Sequence, residues 1–494
     1  MIKSNAILML KTFSEEEMKL FAEFLNSPFH NKNKKVIRLF NILKRYHPDY
    51  EDKNFSKGNL FKELFKNSDY KESHIRNLFS DLNILTEKFI QYIALNNNYL
   101  YDKILIEELN HRDIQVIMEK KIRTLEKKIN LVKSKDHDYF ANRIFIYEMK
   151  SLLLTDKALI ESHRPDEISG KIKLFMLSLM ESSLHLIVEE QRVKVKHDFD
   201  FLKHSLTYLS NHLKDFEDSP LLMIYYYLLL CFFDKNDEEY FLKVKDLLRI
   251  HFNSFSRIDK KNIYGMMQTY CVNKSGKGDV SHEKELLNIL LETLKLNVVT
   301  QKENDFISLN FFRNVVIQCI NLKEIIILKK FISGYINFVI YESRKSMSAY
   351  SYAHLNFLQK NFEKALELCN DINFNDLLTS TNDNLYFKND IKKLMLMCLY
   401  ESNSIESAMS LIDTHKHFVK NSKLVKETMR NKNMNFLNFV NCLVKLKIKF
   451  DDYELIKFKN KVLNTKELTY RNWILEKIEE MEKTEKMEFK NIKR

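Results

Sequence analysis

The chain has 494 residues, of which 45% are apolar and 30% charged, and only six are glycine and four proline. Glycine and proline usually make up roughly 12% of a soluble protein, so this scarcity excludes sheets joined by tight turns and excludes glycine-lined phosphate cradles. The net charge of +12 is uneven: residues 1–110 and 111–300 carry +2 each, and residues 301–494 carry the remaining +8.

The expected fold is all-α, with an N-terminal helical domain over residues 1–95. Thr12 or Ser14 can cap a first helix whose Glu15, Glu16 and Glu17 suit its positive end, and Met18, Phe21, Phe24 and Leu25 fall on one face. Ser27-Pro28 ends it. A second helix runs from about Lys34 to Tyr46 with Val36, Leu39, Phe40 and Leu43 as its stripe, and a third runs from Ser56 to Phe65. A long helix then starts near Glu72 and carries Ile75, Leu78, Phe79, Leu82, Leu85, Phe89 and Ile93. The last two form a short helix, a turn and a helix exposing Lys71, His74, Arg76 and Asn77, which admits a helix-turn-helix of winged-helix type that contacts DNA. A plain four-helix cap is the preferred reading, because Asp81 and Glu87 sit among the exposed positions and no wing hairpin follows.

Residues 99–300 read as a degenerate helical-repeat region. Breaks are expected near Asp136-His137-Asp138, Arg164-Pro165-Asp166, Glu217 to Pro220, Asp234 to Glu238 and Asn273 to Asp279. Leu221 to Phe233 is the longest uncharged apolar run, and at thirteen residues it is a core helix, too short for the roughly 18 of a membrane span. Residues 301–494 read as a tetratricopeptide-like region with basic C-terminal helices. Its clearest stretch is Ser351 to Leu411, where Ala353, Asn356, Phe362 and Ala365 recur in pattern as Leu396, Leu399, Ile405 and Ala408. Ala365 and Ala408 would mark where paired helices come closest, and their separation exceeds the roughly 34 residues of the standard repeat. The polar stretch Asp371 to Asp383 accounts for the excess. Asn421 to Asn433 is expected to be a basic connector, Met434 to Lys447 a helix, and Glu476 to Arg494 a solvated, fraying helix.

The six cysteines are spread thinly with no CxxC or Cys/His cluster, which fits buried, reduced thiols in a cytoplasmic protein. The N-terminus has only five consecutive apolar residues, Ala6 to Leu10, and is read as mature sequence. No phosphate-loop, dinucleotide or HExxH motif occurs. His111-Arg112-Asp113 copies a kinase tripeptide without its glycine loop or downstream Asn, and Pro48-Asp49 with Glu51-Asp52-Lys53 crowds nuclease-like residues into one interhelical turn; both are taken as chance. His415 and His417 are expected to be exposed at a helix end. No catalytic residue, cofactor or metal is expected.

Two stretches together resemble a family of bacterial helical proteins. One is the N-terminal run Leu10 to Ser14, Phe24 to Asn31 and the Tyr70 to Phe89 helix; the other is Asn361 to Leu368, Leu394 to Tyr400 and Asn435-Phe436-Leu437. The resemblance implies a helical N-terminal domain joined to a tetratricopeptide-like repeat array, and it brings no activity. The function expected is a non-catalytic protein–protein interaction scaffold, with Asn356, Gln359 and Lys360 as possible partner-binding residues and no membrane partner. The alternative is a nucleic-acid-binding regulator using Lys71, His74 and Arg76, or Lys423, Lys426 and Arg430 in the basic region Lys416 to Lys461.

Overall fold

The structure is a computed structural model that describes residues 4–492, except 53–54, 66–68, 97–98, 154–156, 193–194, 235–236, 276–279, 301–304, 378–380 and 422–426. Among the described residues it forms 23 α-helices, five short 3-10 turns and no strand, so the all-α expectation holds. The chain divides into two units, residues 1–131 with 142–168, and residues 132–141 with 169–494.

The first unit holds α1 (Asn5–Leu10), α2 (Glu15–Asn26), α3 (Lys34–Leu43), α4 (Lys57–Leu64), α5 (Glu72–Asn96), α6 (Leu100–His111) and α7 (Gln115–Asn130). Ser14 caps α2 through a reciprocal box: its hydroxyl accepts from the Glu17 amide, and the Glu17 carboxylate accepts from the Ser14 amide. The apolar faces of α2, α3 and α5 close on one core, in which the Phe21 ring centroid lies 5.0 Å from Phe40 and 4.9 Å from Phe89. Each stripe expected from sequence is buried there apart from Ile93, which is half-buried at the margin. α6 begins at Leu100, within four residues of the end of α5.

The division between units falls inside α8 (His137–Leu153) and α9 (Lys157–Arg192). The break expected at Arg164-Pro165-Asp166 is absent: α9 runs through Pro165. The proline lacks an N–H and so frees one carbonyl a turn earlier, and Arg164, Pro165 and Asp166 themselves are exposed.

The second unit continues with α10 (Asp200–Asn211), α11 (Pro220–Phe233), α12 (Asp237–His251), α13 (Arg257–Ser275), α14 (Val280–Lys295), α15 (Leu309–Leu322) and α16 (Ile325–Tyr335). It ends with α17 (Tyr341–Leu358), α18 (Phe362–Asn370), α19 (Thr381–Glu401), α20 (Ile405–Asn421), α21 (Glu427–Ile448), α22 (Asp452–Asn464) and α23 (Arg471–Ile492). α11 is the core helix that its composition predicts, with Leu221 to Tyr226, Leu228, Leu229 and Cys231 all buried. Its principal packing pairs, such as α11 on α12, α13 on α14, α17 on α18 and α20 on α21, join helices that are neighbours in the chain.

One turn recurs. At Lys323, Lys360 and Asn403 a residue with φ between 58° and 64° follows the helix, and the next amide reaches back five residues, as Glu324 N to Cys319 O, Asn361 N to Asn356 O and Ser404 N to Leu399 O. This is the Schellman stop, and each time the following helix starts two residues after the left-handed one. Five residues after it stand Leu328, Ala365 and Ala408, all fully buried. In the first unit Asp113 makes the same turn between α6 and α7, with Met118 in the equivalent buried place. The kinase-like tripeptide His111-Arg112-Asp113 is therefore a helix stop. The polar stretch after Ala365 folds over α17 by way of a 3-10 turn, Phe374–Leu377, and the Asp376 carboxylate accepts from the Ser346 hydroxyl at 2.9 Å.

Two expectations near the C-terminus are corrected. The connector Asn421 to Asn433 is helical from Glu427 onward, as the first turns of α21, because its apolar face joins the core with Phe436, Phe439, Val440 and Leu443. The segment from Glu476 is no solvated tail at its start: Lys477 and Ile478 are buried, since α23 packs on α21 and α22.

Candidate functional site

A cleft of about 1830 Å3 opens in the second unit. One wall is α19, whose Tyr386, Asp390, Lys393, Met397 and Glu401 recur at three- and four-residue steps and so share a face. A second wall is α15, where Asn310, Asn314, Ile317 and Asn321 form a stripe by the same spacing and Arg313 lies beside it. The third is the segment Lys466 to Tyr470 with the start of α23.

That segment is fixed at both ends. The Arg471 guanidinium donates to the carbonyls of Val462 at 2.7 Å, Leu463 at 3.1 Å and Thr465, which are the orphan acceptors at the end of α22. Further along, the Trp473 indole donates to Glu401 Oε1 at 2.7 Å, and the Lys477 ammonium pairs with Glu401 at 2.9 Å and Glu480 at 2.8 Å. Trp473 also meets the Tyr400 ring edge-on at 5.5 Å.

At the cleft floor is a buried ionic cluster. Arg313 Nε donates to Asp390 Oδ2 at 2.5 Å, and the buried Tyr350 hydroxyl donates to the same oxygen at 3.0 Å. Lys393 stands 3.6 Å from Asp390 Oδ1 and 5.6 Å from the Tyr470 ring centroid. The Asp390 and Lys393 side chains are only 3% and 7% exposed, so this is no surface pair. Burial opposes ionisation of Asp390, but the Arg313 and Lys393 charges outweigh it and hold the carboxyl below its ordinary value. Burial, with Arg313 adding, pushes the Lys393 ammonium down, and burial lowers Lys432 as well.

Two histidines flank the cluster as neutral rings. His354 Nδ1 bonds the Tyr350 carbonyl at 2.8 Å, and burial pushes its pKa down to about 4. His415 Nε2 bonds Asn389 Oδ1 at 2.9 Å, and burial with the Lys393 and Lys392 charges pushes it down to about 3. The expectation that His415 is exposed is thus overturned: it lies mid-helix on the face of α20 that packs against α19, while His417 is exposed as expected.

The residues singled out in the sequence lie elsewhere or at the rim. Lys360 lines the cleft from its left-handed turn; Gln359 is exposed beside it, and the Asn356 carboxamide is engaged by the Tyr352 carbonyl at 2.8 Å. Lys71, His74 and Arg76 are exposed around the start of α5, but His74 packs on the Phe65 ring at 5.5 Å and Glu72 between them pairs with Lys57 at 2.6 Å. Arg430 is half-buried on α21, and Lys423 and Lys426 lie outside the described residues.

Sequence reasoning missed the cluster because Asp390 and Lys393, three apart, look like an ordinary exposed helix pair. Arg313, a lone cation inside the apolar run Leu309 to Ile320, was the available signal. Among the described residues no group of His, Cys, Asp and Glu side chains could hold a metal ion, and no helix is long and apolar enough to cross a membrane. Five of the six cysteines are buried, and burial pushes Cys231, Cys319 and Cys369 up to about 12, which leaves them unreactive thiols. No family model, curated protein or solved structure matches the chain.

Proposed function

We propose that the chain is a non-catalytic scaffold of stacked, tetratricopeptide-like helix pairs that binds a segment of a protein partner in the cleft of its second unit. The observation that carries this reading is the carboxamide stripe of α15. Asn310 and Asn321 are half-buried at the cleft wall, and no described residue hydrogen-bonds their side chains. A carboxamide offers a donor and an acceptor together, the complement of a peptide unit, and two such groups on one helix face suit an extended backbone, while Asn314 between them accepts from the Arg313 guanidinium at 3.3 Å. The cleft also exceeds the roughly 300–1,000 Å3 of small-molecule sites, which favours a chain segment as occupant. The turn repeated at Lys323, Lys360 and Asn403 supports the repeat reading, because successive pairs then stop and restart in one register.

The test is affinity capture of the tagged full-length chain from its own cells, with and without nuclease, beside a variant carrying Asn310→Ala, Asn314→Ala and Asn321→Ala. A protein partner that survives nuclease and is lost in the variant is expected. Capture that depends on nucleic acid would overturn the reading. Nucleic-acid binding is the second reading, and one observation favours it: the Lys461, Lys445 and Lys416 charges act on the Cys442 thiol against Glu454, so lysines of α20, α21 and α22 lie near one thiol with positive charge in excess.

A further inference from the structure

Three cations gather around one buried carboxylate at the floor of the cleft. Arg313, Lys393 and Lys432 act on one another there against Asp390, with Glu467 acting on Lys432. Asp390 is already engaged, because Oδ2 accepts from both Arg313 and Tyr350. Lys393, also buried, shares that carboxylate, with Asp390 Oδ1 at 3.6 Å as its ion-pair partner. A buried ammonium that shares one carboxylate with an arginine is costly, and nothing in helix packing calls for a further cation, Lys432, beside it.

A second observation is independent of this charge count. The Tyr470 hydroxyl is buried at the same place with no hydrogen-bond partner. Burial, with the Asp390 charge adding, pushes the Tyr470 phenol far above its ordinary range, so the group keeps its proton and remains a donor. Its ring centroid lies 5.6 Å from the Lys393 ammonium, so the unpartnered phenol and the ammonium share one neighbourhood. Two ammonium groups and one buried hydroxyl, all donors on residues that line the cleft, are what an oxyanion would satisfy.

We propose that the cleft floor binds an oxyanion, a carboxylate or a phosphate, through the Lys393 and Lys432 ammonium groups and the Tyr470 hydroxyl. The inference rests on the cleft being a segment-binding site only for the source of the anion: an acidic side chain or chain terminus in one case, a phosphorylated residue or free phosphate in the other. The Arg313–Asp390 pair acts as a fixed wall that positions the donors and stays closed to the ligand.

The test is calorimetric titration of the purified full-length chain with inorganic phosphate and, separately, with an end-blocked tetraglutamate peptide. An end-blocked tetraserine peptide is the uncharged control, ionic strength is held constant with chloride, and melting temperature is followed in parallel. At least one anion is expected to bind and raise the melting temperature while tetraserine does not, and the anion that binds identifies the source. Lys432→Gln should weaken that binding about tenfold or more, since a hydrogen bond to a charged group is lost. Tyr470→Phe keeps the ring under Lys393 and removes only the hydroxyl, so it should weaken binding several-fold with unchanged helix content. No heat beyond the chloride background from either anion, or an affinity indifferent to both substitutions, overturns the proposal. Nuclease-resistant partner capture alongside that failure would leave the scaffold reading intact, whereas anion binding without partner capture would remove the scaffold reading alone.

Discussion

His415 and His354 show how much a single side chain owes to its surroundings. Each is neutral in the fold, one held down to about 3 and the other to about 4, whereas a free imidazole titrates at 6.5. As pH falls below 6.5 the unfolded chain takes up protons that the folded one refuses, so stability is lost on acidification through that window. Asp390 acts in the same direction, since its depressed carboxyl stabilises the fold above its ordinary pKa and ceases to as it is protonated. For a buried group shifted this far the contribution is on the order of 3 kcal/mol per histidine. The melting temperature should therefore fall between about pH 7 and about pH 4.5, most steeply below 6.5. His415→Gln, which can still donate to Asn389, should flatten that profile, as followed by circular dichroism; an unchanged slope would mean His415 is not one of the titrating groups. The burial that sets these values was not legible locally, because THKHF presents both histidines in the same polar setting. Asn389 and the cationic face of α19 decide which one is enclosed.

At the scale of the helix pair, much of the design is written in the chain. The apolar stripes of α2, α3 and α5, the Ser14 cap and the all-apolar α11 follow from spacing and composition, and each forms as expected. The shared place of Ala365 and Ala408 was also legible, but its wider recurrence was not, because Leu328 and Met118 fill it elsewhere. What recurs is backbone geometry, and a glycine-poor chain makes it with Lys323, Lys360, Asn403 and Asp113. Left-handed backbone costs an ordinary L-residue on the order of 1 kcal/mol, while Asn tolerates it through local hydrogen bonding. Lys360→Gly should accordingly stabilise the fold by about 0.5 kcal/mol after the entropy that glycine adds to the unfolded chain, and Asn403→Gly should change little or destabilise slightly. Urea unfolding of the two variants in parallel checks this, and equal shifts would show that the turn strain is not what distinguishes them.

Over the whole molecule, the excess of 79 basic over 67 acidic residues bears on the nucleic-acid reading. If the patch around Lys416, Lys445 and Lys461 meets a phosphate backbone, affinity should fall with salt by a logarithmic slope of about 0.9 per phosphate contact. Lys445→Glu with Lys461→Glu should then lower that slope by about 2, measured on mixed duplex and single strands. Absence of binding at low salt would remove this reading. The sequence by itself determined the fold class, most helix positions and the absence of glycine-built nucleotide sites, because propensity, periodicity and composition act over a few turns of one chain segment. Only tertiary structure decided which polar residues are enclosed. Arg313, Asp390 and Tyr470 lie more than seventy residues apart from one another in the chain, and packing of separate segments removes their water. The sequence pointed first to the hairpins of Ser351 to Leu411, and one wall of the candidate site, α19, belongs to them, but desolvation, a property of several segments at once, sets its chemistry.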